Sequence, residues 1–187
     1  MDFKASTTGL LLLMVAFAGC GGSAEETAGQ STPASSESTT KLEPSPDENV
    51  AGLEQMCAEA QPAMEARQAT ATLFQRVGGR DGLQAVVADT VRRYVENEQI
   101  KHLMEGVDTE HLAAQVTDFL VVGTGGEGEY HGRDMTTAHA NMNLTNADFL
   151  AAGSDLGAAM DSARWGEDEK QELLCAFVAL RAQVVTR

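Results

Sequence analysis

The chain has 187 residues and a formal net charge of −15, from 28 acidic and 13 basic side chains. Binding nucleic acid needs a basic footprint that displaces counterions from phosphate, so this balance excludes nucleic acid as a partner. Apolar residues make up 43% of the chain but aromatic ones only 5%, so its core must be aliphatic and methionine-rich.

The first twenty residues, "MDFKASTTGLLLLMVAFAGC", place Lys4 ahead of an apolar run from Gly9 to Ala18. That run is short for a membrane span and suits an export signal. Its end, Phe17-Ala18-Gly19-Cys20, resembles a bacterial lipobox, with Phe17 where leucine is usual. The resemblance implies a lipidated Cys20 and a protein anchored to a membrane of the cell envelope, on the periplasmic or the outer side; ordinary signal cleavage beside an incidental cysteine is the other reading. Residues 21–49 are Ser, Thr, Glu, Pro and Gly with almost no apolar side chain. Such a segment cannot bury enough surface to offset chain entropy, so a disordered acidic linker is predicted, acting as a tether. An N-terminal helical extension follows at 50–70, and a folded domain at 71–187.

From about residue 48 the apolar spacing is helical throughout, and no segment alternates long enough for a strand, so the fold class is all-α. Helices are predicted over 48–68, 69–77, 80–96, 108–123, 145–163 and 167–185. Leu83, Val86, Val87, Val91, Tyr94 and Val95 form one stripe; Leu112, Val116, Phe119 and Leu120 form a second. Leu173, Leu174, Phe177, Val178 and Val184 form a third, with Arg181 its one polar intruder. Gly78-Gly79 and Gly125-Gly126 break the chain between helices. Thr145 and Asp148 form a capped helix start, and Glu167, Asp168 and Glu169 place negative charge at the N-terminus of the last helix. The helices fall into two antiparallel pairs, 80–96 with 108–123 and 145–163 with 167–185. The glycine-rich segment carrying His139 lies between the pairs.

Cys57 and Cys175 are the remaining cysteines. An exported compartment permits a disulfide tying the extension to the last helix, and two separate buried thiols are the equal alternative. With no CxxC and no Cys/His cluster, a structural zinc site is excluded.

The stretches "LFQRVGGRDGLQAVV", "GGEGEYHGRDMTTAHANMNLTNADF" and "EKQELLCAFVALR" together resemble a group 1 truncated globin, over about residues 72–185. The resemblance implies a two-over-two helical sandwich holding haem b, iron protoporphyrin IX, with His139 of the Met-x-x-x-His string as ligand to the iron. It also implies a diatomic gas, O2, NO or CO, as the molecule reversibly bound. Tyr130 and Met135 match family residues at the haem edge. Leu112, Val116 and Leu120 match the distal roof, and Leu144 and Phe149 the proximal and inner pocket. For each of these, plain core packing is the compatible alternative. His102, His111 and His131 lack such context and are expected to face solvent.

The distal side departs from the family pattern. Val91 stands where many members carry a tyrosine, and Met104 where a phenylalanine is usual. Gln115 is the one polar candidate nearby, with Tyr94 three residues beyond Val91. Met104 is either a packing residue or a soft sixth ligand. An apolar distal site is therefore expected, or one with Gln115 as sole donor. A haem-free globin serving as an envelope binding or sensory module is the alternative reading. Nitric-oxide dioxygenase or peroxidase chemistry is a weaker one, since the chain supplies no reductase and no convincing distal acid or base.

Overall fold

The computed structural model describes residues 43–187. The export signal, Cys20 and residues 21–42 of the expected linker lie outside the described residues. Every regular element among the described residues is helical.

Helix α1 runs Pro46–Thr70, which corrects the linker: residues 46–49 belong to the helix. The cause is a capping box. Ser45 Oγ accepts from the Glu48 amide at 3.2 Å and Glu48 Oε2 accepts from the Ser45 amide at 2.7 Å, while Pro46 is preset for the first helical position. Inward, α1 presents a thin stripe of Val50, Leu53, Cys57, Ala60, Met64 and Arg67, of which only Val50 is fully buried. The steps alternate three and four, the spacing of a coiled-coil seam, but half the knobs are small or charged. Polar and covalent ties supplement this seam. Cys57 is disulfide-bonded to Cys175, their Cα atoms 5.4 Å apart, and Arg67 pairs with Asp168 at 3.2 Å.

The domain continues with α2 (Leu73–Arg76), α3 (Gly79–Glu96), a 3₁₀ turn (Lys101–Met104), α4 (Thr109–Gly123), α5 (Met135–His139), α6 (Asn146–Ser162), α7 (Glu167–Ala179) and α8 (Arg181–Val184). The helix expected over 69–77 is thus only four residues long, because α1 extends through Thr70 and Thr72 starts α2 with its own capping box. The helix expected over 167–185 breaks at Leu180, whose amide donates to the Phe177 carbonyl at 3.0 Å in a tighter turn. Thr145 and Asp148 form the anticipated capping box at the start of α6.

Helix α3 packs against α4 on one side and α6 on the other, and α6 packs against α7. Their shared core is aliphatic: Leu73, Val77, Leu83, Val86, Val121, Leu156, Met160 and Leu173. Burying each such side chain is worth about 1.5–3 kcal/mol. Beside this core, Glu172 is buried and accepts hydrogen bonds from Arg76 and Gln68, and Arg76 also donates to Glu169 at 2.6 Å. This paired knot ties α1 and α2 to the first turns of α7.

Candidate functional site

The chain leaves α4 through Gly125 and Gly126. Gly125 has φ +90, and a methyl group at Gly126 would meet the Phe74 and Val121 side chains at 2.8 Å. The pair therefore lets the backbone pass close to α2, where other residues would collide. The loop then folds back. The Tyr130 ring meets Phe119 of α4 edge-on, centroids 5.3 Å apart, and its hydroxyl donates to the Arg133 carbonyl at 2.9 Å. This return delivers Asp134 to the start of α5. Its carboxylate accepts from the Thr137 amide at 2.9 Å and from the Thr137 hydroxyl at 2.7 Å. The hydroxyl bond, followed by the amide bond, holds the Asp134 carboxyl below the usual carboxylate range. What the sequence presents as a loose glycine-rich path thus ends in one regular, capped helical turn.

That turn presents His139, half-buried, with Nδ1 2.8 Å from the Met135 carbonyl. A carbonyl can only accept, so geometry assigns the hydrogen to Nδ1 and leaves the lone pair of the neutral ring on Nε2. This is the tautomer and orientation a metal-ligating imidazole requires. Beyond it, Asn141 and Asn143 take left-handed backbone conformations, φ 67 and 53, which asparagine tolerates better than most residues. Two left-handed residues close to one another reverse the chain into buried Leu144. The Leu144 carbonyl accepts from the Thr186 and Arg187 amides at 3.0 and 3.2 Å.

Helix α4 packs chiefly on α3, whereas α5 packs chiefly on α8. The stripe Leu112, Val116, Phe119 and Leu120 on α4 is only half covered by protein. Val91 is buried on α3, and Met104 is half-buried at the end of the 3₁₀ turn that packs on α3. None of Val91, Met104, Leu112 and Val116 carries a hydrogen-bond donor on its side chain. Three hydroxyl groups of α3 and α4 are committed to backbone carbonyls. Thr90 and Thr117 donate to the Val86 and Ala113 carbonyls of their own helices, each at 2.8 Å. The Tyr94 hydroxyl donates to the Ala152 carbonyl of α6 at 3.3 Å, and burial pushes its pKa up, so it stays protonated. The Gln115 carboxamide is directed at the Tyr130 loop: a methyl group at Gly132 would lie 2.6 Å from its Oε1.

Phe149 is buried on α6. It stacks on Phe177, centroids 4.3 Å apart, and with Leu53, Met56 and Leu174 lines an apolar cleft of about 250 Å³ between α1, α6 and α7. Met135 is half-buried at the first position of α5. His102, His111 and His131 are exposed, His131 lying 3.6 Å from Glu129.

Among the described residues no three His, Cys, Asp or Glu side chains gather as a metal site. One half-buried imidazole, in a chain that also carries a half-covered apolar stripe on α4, suits a metal whose other ligands come with it, as in a porphyrin. Residues 72–186 match the family of bacterial-like globins. The chain is a bacterial-like globin. This globin is 35% identical over 89 residues to the group 1 truncated haemoglobin of Tetrahymena pyriformis, spanning 48% of this chain and 74% of the relative. To the group 1 truncated haemoglobin of Mycolicibacterium paratuberculosis it is 25% identical over 116 residues, 62% of this chain and 85% of the relative. The Fe(III) form of the Tetrahymena pyriformis protein superposes with a TM-score of 0.58 at 27% identity, covering 62% of this chain and 99% of that one. The 2/2 haemoglobin of Synechococcus sp., solved in the cyanomet state with covalently attached haem, shares the fold at TM-score 0.58 and 23% identity, covering 63% and 100%. The globin is thus of the group 1 truncated kind. Its family match begins at Thr72, so α1 and Cys57 are additions to the shared domain.

Proposed function

We propose that this globin binds haem b through His139 and reversibly holds a diatomic gas. The observation that carries the reading is the His139–Met135 bond, which selects the tautomer with its lone pair on Nε2 and orients the ring. When bound, haem supplies an iron with an open position for O2, NO or CO. The chain supplies the rest: α5 orients the imidazole, and Leu112, Val116 and Leu120 offer an apolar wall on the other side. With no CxxC in the sequence, thioether attachment through a CxxCH motif is excluded and a non-covalently held haem b is favoured.

The distal wall sets the character of the binding. O2 draws more charge on binding than CO does, so it gains more from a donor. Here Tyr94, Thr90 and Thr117 spend their hydrogens on backbone carbonyls. Fast O2 release follows, with less penalty for CO and NO. The same lack of a free acid or base argues against peroxidase chemistry, and NO dioxygenation would need a separate reductase. In this reading Cys20 carries the lipid that holds the globin at the cell envelope.

The test is an absorption spectrum of the purified full chain with haem supplied. A Soret band is expected, lost or greatly diminished in His139→Ala. No band, or a band indifferent to that substitution, overturns the reading and leaves a haem-free module. A Cys20→Ser chain should move from the membrane to the soluble fraction.

A further inference from the structure

We infer that Arg181 is a positioning residue for His139, an inference that rests on the haem-ligand reading of that histidine. Arg181 is the single charged residue in the apolar stripe of the C-terminal helical segment, and it stands first in α8. Its Nε donates to Asn146 Oδ1 at 2.7 Å, and its Nη1 lies 3.5 Å from Glu54 of α1. Asn146 is buried, and its amide nitrogen donates in turn to Asp47 of α1 at 2.5 Å. Both functional ends of the Asn146 side chain are therefore used, one towards α8 and one towards α1.

Helix α8 is the element α5 packs against. The chain beyond α8 closes on Leu144 through the Thr186 and Arg187 amides. Residues 144–146, which receive these bonds, directly follow the asparagine turn that ends the His139 helix. The five-residue α5 is thus held laterally by α8 and at its exit by residues 144–146. Arg181 is the side chain that joins those two supports. Its pair with Glu54 is long and half exposed, so it adds little stability; the Asn146 bond, to a buried partner, fixes geometry. A metal-ligating ring must be held to within about 0.5 Å of its productive position, and its rotamer must be locked by the groups behind it. Removing the Arg181–Asn146 bond leaves α8 and residues 144–146 joined only through the backbone bonds to the Leu144 carbonyl, and loosens α5 between them.

Amide hydrogen exchange of the full chain, read first without haem, tests this. Arg181→Gln is expected to speed exchange of the α5 amides by about tenfold, the equivalent of one lost hydrogen bond, with α3 and α4 unchanged. Asn146→Ala should speed it at least as much, because it removes the bond to Asp47 as well, and the double variant should add nothing to Asn146→Ala alone. Glu54→Gln should leave α5 as it is. In the haem-loaded chain the iron–histidine stretching band should shift or broaden in Arg181→Gln and not in Glu54→Gln. Unchanged α5 exchange, additive effects, or an equal rise in α3 and α4 would overturn the inference. Because exchange is read without haem, it can fail while the His139-dependent Soret band stands, and the reverse holds as well.

Discussion

Helix α5 has five residues and α4 has fifteen, yet the shorter helix is the more elaborately held. Asp134 caps it, Met135 fixes its histidine, α8 supports its side, and the Leu144 carbonyl anchors the chain just beyond it. Helix α4 rests chiefly on α3 and shows a half-covered stripe of Leu112, Val116, Phe119 and Leu120. Under the proposed reading His139 is a ligand to iron and must be aimed, and aiming is done by hydrogen bonds, which have direction. A wall needs only shape, and shape is supplied by apolar contact, which has none. The two faces differ in the kind of interaction because they differ in the kind of precision they need.

The comparison breaks most severely if α1 is released, because α1 packs on α6 and α7 and reaches α8 through Glu54. Replacing both Cys57 and Cys175 by serine opens a link between residues 118 apart; by loop entropy this costs about 4–5 kcal/mol. Thermal unfolding should show a fall on the order of 10 °C, and limited proteolysis should cut within α1 before α3 or α4.

The distal side sharpens next. Leu112→Gln or Val116→Gln places a donor on a wall that has none, and O2 dissociation measured by stopped flow should slow roughly tenfold to a hundredfold. CO dissociation should change far less. Equal slowing of both gases would mean the substitution acts by closing the route and not by hydrogen bonding.

A smaller effect is expected at Tyr94. Tyr94→Phe should leave O2 dissociation within about twofold of wild type and lower stability by roughly 1 kcal/mol, the value of its bond to Ala152. A large change in gas release would place the phenol at the distal site after all. The folded pKa of Tyr94 is raised by burial, with Asp155 adding to it. Its contribution is therefore complete below the ordinary tyrosine value of about 10 and is lost as pH rises through the higher folded value.

The mildest effect is local. Asp134→Ala should speed exchange of the α5 amides by roughly fivefold through the lost cap, leaving the melting temperature unmoved. Acid should mimic it in wild type. The Asp134 carboxyl sits below its usual range when folded, so its contribution is complete above about pH 3.9 and fades as pH falls through the lower folded value.

The helices, their pairing and the double-glycine breaks could be read in the sequence because apolar period, capping residues and glycine act locally. So could the Thr145 box. The start of α1 could not, since Ser45, Pro46, Asp47 and Glu48 are the residues of a linker as well as those of a helix cap. Its seam was hidden for another reason: Cys57, Ala60 and Arg67 occupy positions where apolar counting looks for leucine. The break at Leu180 has no glycine or proline to mark it. At the site, His139 was marked out by the resemblance of its Met-x-x-x-His string to the truncated globins, whereas its ring bond to Met135 came from the structure. Where Gln115 and Phe149 point was not visible, since a helical face does not say which neighbour it meets. The left-handed Asn141 and Asn143 went unread, although asparagine is the residue type that best tolerates that conformation after glycine.

The disulfide also has a meaning in the order of synthesis. Cys57 lies in the added helix ahead of the globin domain, and Cys175 lies in α7, close to the chain's end. When Cys57 emerges from the ribosome its partner does not yet exist, and everything from α2 to α6 must be made before the pair can meet. The bond therefore closes only on a chain that already contains the His139 turn and both helix pairs. It joins α1 to a chain already made as far as α7 and leaves any product truncated before Cys175 with an unpaired Cys57.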